Sequence, residues 1–532
     1  MDHTKLLLES IAEDSLIKAF EFAIYDRVKT DLFYNPIEID YAIKNKKVLI
    51  KELLFELKDP ESYQQRIAFC YFPPKTRLTF RRMIYIPIKD LIFRYSILYV
   101  IAKYSDNKFI KNCFSNRLEH DESKKYFLQS FSEISHPSWC RWQKSECETE
   151  SVLLRTDISS FYDSVAHDYL LDAVSKELDI PRDCKFINTL NIVLKVPLQS
   201  YSTKTKRLNN RTILRQGLAI GNNCDAFLAN LYLKDSDDLM TSVKNIKYGR
   251  YVDDIRIFAK DRRVALNAVK ILQENLLTKG LNLNGSKTEL AEDNKSKIKI
   301  VSRETPYDDE DLESTNEKVI KNKIDKSFYE FEETFPPIPN FLNNFEEKDS
   351  KAKDYCKFLS TKNNKLKFVQ LKERTIDHIF TIAEIIKKWQ GASKHASWLL
   401  VESAFYNKVL RNTRNEARKK ILELIKSKEV SSYGKYRIIH HLIKIRKNKK
   451  KNSFFDQLNI TEKNILYSQI DDYLKTPSLE LNVIALILLN KKINNIKSVE
   501  VYIEKFYSLN LNQKKIPGFL FDSLEYLKCK IS

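Results

Sequence analysis

Three aspartates in two separate segments carry the strongest chemical signal in this 532-residue chain. Asp157 closes the apolar run Leu153-Leu154-Arg155-Thr156-Asp157 and leads into Ile158-Ser159-Ser160-Phe161-Tyr162-Asp163. Asp253 and Asp254 sit side by side in Arg250-Tyr251-Val252-Asp253-Asp254-Ile255-Arg256-Ile257-Phe258. Neighbouring carboxylates repel each other unless cations neutralise them. Mg2+ suits such a set, because it takes oxygen ligands, keeps waters and shares coordination with substrate phosphates. Two such ions ~3.5–4 Å apart activate an attacking hydroxyl and stabilise a leaving pyrophosphate. An isolated Asp-Asp pair is most often a surface turn, and the second segment with Asp157 is what turns the reading toward metal-assisted phosphoryl transfer.

The elements that must position these groups are legible around them. Val152–Leu154 is suited to a buried strand with Asp157 at its end, followed by a turn and an amphipathic helix through Val165, Tyr169, Leu170 and Val174. The Asp253-Asp254 pair separates two short strand-like runs, which predicts a β-hairpin with both carboxylates at its tip. Between the segments lies Leu214-Arg215-Gln216-Gly217-Leu218-Ala219-Ile220-Gly221-Asn222-Asn223-Cys224-Asp225, a glycine-containing loop that runs into an apolar helix. Gly217 and Gly221 allow backbone to approach a nucleotide or nucleic acid closely.

Composition sets the wider frame. Lys and Arg outnumber Asp and Glu by 91 to 71, a net charge of +20. Such a surface gains affinity for phosphates by displacing counterions, although charge alone fits simple solubility as well. The eight cysteines show no zinc-like spacing and read as reduced thiols, and His440-His441 is poorly placed to share a metal. The apolar run Val483–Leu489 is too short for a bilayer, which needs about 20 residues, so no membrane partner is expected.

Residues 1–300 mix helical and strand patterns, 301–349 read as a connector with the acidic stretch Ser302–Ser314 and Pro336-Pro337-Ile338-Pro339, and 350–532 are almost wholly helical. In the last region Ile376, Ile379, Phe380, Ala383 and Ile386 share one helical face. Helices of ~12–18 residues with short links suggest a HEAT-like array, with an irregular bundle as the alternative. The run Lys444–Lys451 is an exposed loop or a phosphate-binding patch.

Together, Tyr-x-Asp-Asp on a hairpin, an upstream Asp followed by Phe-Tyr, and the Gln-Gly loop-helix resemble motifs C, A and B of reverse transcriptases. Pro87-Ile88-Lys89-Asp90 after Arg81-Arg82 is similar to their fingers segment, and Gly280–Glu289 resembles their motif D. The resemblance spans roughly residues 70–300 and implies an α+β, right-hand polymerase core of fingers and palm, followed by the all-α HEAT-like region. It implies that Asp157, Asp253, Asp254 and the Ile158 carbonyl bind two Mg2+ ions, for which Mn2+ can substitute. It also implies that Tyr162 excludes a 2′-hydroxyl, that Arg82 and Lys75 grip the triphosphate of a dNTP, and that Gln216 lines the template pocket. Lys287 would protonate the leaving pyrophosphate, against the alternative of a surface lysine.

The Gln-Gly-Leu-x-Ile-Gly loop and the helical tail resemble the bacterial antiphage group, the abortive-infection (Abi) and defence-associated reverse transcriptases. That resemblance implies a cytoplasmic homo-oligomer and DNA synthesis without a conventional template, with product attached through a tyrosine. Ala219 and Asp225 depart from the pattern, which has proline and a small Ser/Thr there. A carboxylate at 225 near a template would repel its phosphates; alternatively, Asp225 caps the helix and faces away. Other readings are an RNA-templated enzyme of a mobile element, one working with a dedicated non-coding RNA, and a catalytically idle nucleic-acid-binding scaffold.

Overall fold

A computed structural model describes residues 2–29, 33, 35–75, 79–200, 212–302, 376–388, 393–405, 409–443, 453–475 and 478–492. Most of the connector, Pro336–Pro339, the basic run from Lys444 and the expected helix at 499–506 lie outside the described residues.

The amino-terminal part opens with four helices, α1 (His3–Ile11), α2 (Glu13–Lys29), α3 (Pro36–Lys44) and α4 (Lys46–Glu56). Strands β1 (Ala68–Tyr71) and β2 (Met83–Tyr85) lead into α5 (Ile88–Ser105). Almost every side of α5 is buried, as its all-round apolar sequence requires. It is therefore a central post, packed on α2 and on the later helices.

Next come α6 (His136–Thr149), β3 (Val152–Asp157), the short α7 (Phe161–Ser164), α8 (His167–Leu178) and α9 (Lys185–Leu194). The expected single helix after Asp157 is thus two, because Val165 and Ala166 are extended between them. Strands β4 (Pro197–Ser200) and β5 (Thr212–Ile213) precede α10 (Cys224–Ser242). The hairpin β6 (Ile246–Tyr251) and β7 (Asp254–Ala259) is followed by α11 (Arg262–Leu277), β8 (Glu289–Ala291) and α12 (Asn294–Ser302).

Two four-stranded sheets result. The palm sheet has the order β6-β7-β3-β8 and is antiparallel throughout. The fingers sheet has the order β2-β1-β4-β5, with β1 parallel to β4. Both faces of β3 and β7 are buried, so their sequence does not alternate cleanly between apolar and polar. Arg256, on the face that simple alternation would give to solvent, is fully buried and donates Nε to Gln143 Oε1 at 3.0 Å.

The described carboxy-terminal helices are α13 (Ile376–Lys388), α14 (Ser393–Phe405), α15 (Arg411–Lys426), α16 (Ser432–Ile443), α17 (Ile460–Tyr467), α18 (Ile470–Lys475) and α19 (Leu479–Lys492). Ile379, Ala383 and Ile386 are buried as expected, whereas Ile376 and Phe380 lie at the exposed margin of that face. This helical core is continuous with the fingers sheet: Phe69, Tyr71, Met83 and Tyr85 share it with Tyr436 and Leu442. Phe33 stacks on Tyr436 at 5.0 Å and also contacts Tyr71 and Tyr85. The helices therefore brace the outer face of the fingers. No helix among the described residues is long and apolar enough to cross a membrane, and no disulfide joins the described cysteines.

Candidate active site

The register of the palm sheet brings the three aspartates to one edge. Asp157 pairs directly with Asp254 across β3 and β7. The hairpin turn is Val252-Asp253, so Asp253 occupies the turn itself and Asp254 is the first residue of β7. The Asp253 carbonyl accepts the Ile158 N–H at 3.2 Å, which ties the turn to the end of β3. On the other side the Asp157 carbonyl accepts from Asn284 N at 2.7 Å, and Ser159 N donates to the Asn282 carbonyl at 2.8 Å. The 280–289 segment is thereby fastened along Asp157–Ser159.

Charge at this edge is poorly balanced. Burial first, and then the nearby charges of Asp157 and Asp254, push the Asp253 carboxyl up to about 6. Lys287 Nζ contacts Asp157 Oδ2 at 2.9 Å. Asp254 faces the guanidinium groups of Arg155 and Arg256, each at 3.8 Å. No group of three His, Cys, Asp or Glu side chains among the described residues is placed to hold a metal. The donor set nonetheless fits divalent ions: all ligands are oxygens, the carboxylates repel one another, and an ammonium already rests on Asp157.

The glycine loop runs against α7. Gly217 N donates to the Val165 carbonyl at 2.7 Å and Leu218 N to the Tyr162 carbonyl at 2.8 Å. Gly217 has φ +83, and a Cβ there would lie 2.8 Å from Arg82 Nη2 and 3.0 Å from the Tyr162 carbonyl. Gly221 has φ +130, and its Cβ would meet the Ile84 carbonyl at 2.7 Å. Both positions need glycine for conformation and for space.

Of the other expected residues, Arg82 projects from just before β2 and pairs with Asp163 at 2.6 Å, one residue from Tyr162. Fingers and palm therefore meet at that point. Tyr162 is partly buried, and the pKa of its hydroxyl is raised by burial and then by Asp253. Gln216 is exposed, with Nε2 3.4 Å from the Ser164 carbonyl. Lys75 is an exposed residue on the turn closed by its N–H to the Thr79 carbonyl at 2.8 Å. Lys287 is exposed and forms an ion pair with Asp157.

Asp225 overturns one expectation. It is 1% exposed and bridges Arg94, with Oδ1 to Nε at 2.5 Å and Oδ2 to Nη2 at 2.7 Å. Its Oδ2 also accepts the Ala219 N–H at 2.7 Å. A neutralised, buried carboxylate presents no charge to a template, so the expected repulsion of template phosphates does not arise. Asp225 instead shapes the glycine loop. Sequence reasoning also passed over Arg250, which is buried between Asp237, at 2.7 Å, and Asn230, at 2.8 Å. Its position next to Tyr251 was the available signal.

Residues 100–362 match the reverse transcriptase (RNA-dependent DNA polymerase) family. Among solved structures, the chain matches apo telomerase from Candida tropicalis truncated from its C-terminal domain, at 13% identity and a TM-score of 0.31 over 43% of this chain and 50% of that one. It also matches telomerase from Candida albicans in complex with the TWJ fragment of telomeric RNA, at 14% identity and a TM-score of 0.36 over 71% of this chain and 65% of that one. The chain thus spans less than two thirds of each of these telomerase chains. No curated protein matches it.

Proposed function

We propose, from the premise that the chain carries a reverse transcriptase domain and is an RNA-directed DNA polymerase, that it polymerises dNTPs at the palm edge formed by Asp157, Asp253 and Asp254. The observation that carries this reading is the strand register that sets Asp157 against Asp254 beside the Asp253 turn. Reverse transcriptase domains use divalent metal ions. We assign the ligands here as the three carboxylates and the Ile158 carbonyl, and the ions as Mg2+, with Mn2+ able to replace it. When bound, such ions lower the pKa of the attacking hydroxyl and stabilise charge on the pyrophosphate.

The chain's own groups do the positioning. Tyr162, wedged between Asp253 and the glycine loop, takes the sugar face and excludes a 2′-hydroxyl. Arg82 reaches the triphosphate by exchanging its contact with Asp163 for phosphate oxygens, with Lys75 further out on the same hairpin. Gln216, exposed on the glycine loop, lines the template pocket. Lys287, in contact with Asp157, would donate a proton to the departing pyrophosphate.

Templated synthesis is the mode favoured here, because the buried Asp225–Arg94 pair removes the argument for template-poor copying. The cellular role proposed is antiphage defence in the bacterial cytoplasm. It is supported by the Gln-Gly-Leu-x-Ile-Gly loop and by a helical region after the polymerase core, for which a HEAT-like domain over 350–532 is proposed. Homo-oligomerisation and DNA attached through a tyrosine belong to the same proposal.

The test is to incubate the purified protein with Mg2+, dNTPs and a primed RNA template, and to run the products on a denaturing gel with and without protease. A ladder of the template's length supports templated copying. A product whose mobility changes with protease supports attachment to the protein. No incorporation under either condition contradicts the proposal, and sequencing the nucleic acid that co-purifies identifies any dedicated RNA.

A further inference from the structure

Val252 has φ +58, a left-handed conformation that costs a β-branched residue roughly 1–3 kcal/mol. It lies in the turn that presents Asp253, so something must hold it. The chain between α5 and α6 supplies the support. Residues 112–116 run beside β6: Asn112 O accepts from Arg250 N at 3.0 Å, Phe114 N donates to Arg250 O at 3.2 Å, and Cys113 bridges Arg250 in parallel. The Asn112 carboxamide also donates to the Tyr248 carbonyl at 3.1 Å.

This stretch ends on Ser115, which is 1% exposed and whose Oγ accepts the Val252 N–H at 2.6 Å. The other side of Val252 is held as well, its carbonyl receiving Arg250 Nη1 at 3.4 Å. The same Nη1 donates to Asn230 Oδ1 at 2.8 Å, and Asn230 Nδ2 donates to the Ser115 carbonyl at 2.7 Å. The circuit closes through Val252, Ser115, Asn230 and Arg250. Asp237 anchors the guanidinium from below and receives the Tyr248 hydroxyl at 2.9 Å.

The next residue, Asn116, is held by the same circuit. It has φ +55, which asparagine tolerates better than most side chains. Its carbonyl accepts from Asn230 Nδ2 at 3.2 Å.

We infer that Ser115 is a positioning residue: it fixes the Val252–Asp253 turn and, through it, the placement of the carboxylates. The inference rests on the role proposed above for Asp253. Ser115 acts through the turn and not on reacting atoms.

Ser115→Ala removes only the acceptor. In Ser115→Ala, hydrogen exchange of the Val252 amide accelerates about tenfold or more and kcat falls about tenfold, with KM for dNTP and the preference for dNTP over rNTP unchanged. Ser115→Thr, which restores a hydroxyl, recovers both. Unchanged Val252 exchange in Ser115→Ala overturns the role of Ser115. The exchange readout does not depend on catalysis. A wild-type protein that incorporated no nucleotide would therefore overturn the proposed polymerase function, while the exchange result would still decide the latch.

Discussion

The two sheets bury charge on different terms. In the palm, Asp237 is raised by burial but locked to Arg250 by paired contacts at 2.8 and 2.7 Å, with both side chains fully buried. Near the fingers, Asp26 on α2 accepts from the Tyr95 hydroxyl at 2.8 Å and from Asn223 N at 3.0 Å, with Arg27 beside it. Burial leaves that carboxyl at about 6. The outer face of the fingers sheet is held instead by aromatic packing against α16. The palm spends its polar groups on holding a strained turn, whereas the fingers depend on apolar contact from a region far along the chain.

The comparison breaks most sharply at Arg250. Arg250→Ala leaves Asp237 buried without its partner, and breaking a buried pair in this way costs about 3–5 kcal/mol. Thermal denaturation should show a large loss of Tm, together with loss of the Val252 amide protection. Next is Tyr436→Ala, which empties the stack against Phe33 and costs about 3 kcal/mol. Circular dichroism melts should show that loss, while the dNTP-over-rNTP preference set in the palm stays at the wild-type value.

A smaller effect distinguishes the two buried carboxylates by pH. The folded-state pKa of Asp26 is raised above its unfolded value near 3.8, so the native state holds a proton that the unfolded chain releases. Stability therefore falls as pH rises from about 4 to about 6 and is level in this term above that window. Asp26→Asn should flatten that part of the Tm-against-pH curve, and an unaltered slope would assign it to other groups. The least effect is expected at the surface of α15. Glu423→Gln, which breaks the exposed contact with Lys420 at 2.6 Å, should change stability by less than about 1 kcal/mol.

What could be read in advance divides along physical lines. The placement of Asp157, Asp253 and Asp254 at one sheet edge was legible because strand periodicity and the Tyr-x-Asp-Asp pattern are local. The glycine loop and α10 were legible for the same reason. Neither expectation for Asp225 included its ion pair, because its partner Arg94 lies 131 residues away and no local pattern announces a buried ion pair. Ser115 escaped notice because its partner, Val252, is 137 residues distant and the segment carries no motif. Arg256 defied alternation because α6 and α12 cover the second face of the sheet, making both faces interior. In the helical region periodicity located the helices. It did not reveal that α16 and α19 pack on the fingers, since an apolar stripe does not specify what it meets.

The most direct test of the central claim is single-nucleotide incorporation on a primed RNA template by Asp253→Asn beside wild type, with Tm measured on the same samples. The account predicts that incorporation falls by a factor on the order of 10³ or more. Tm should stay equal to or rise above that of wild type, because one of three mutually repelling carboxylates is gone. Incorporation by Asp253→Asn at the wild-type rate would contradict the assignment of this palm edge as the polymerase centre.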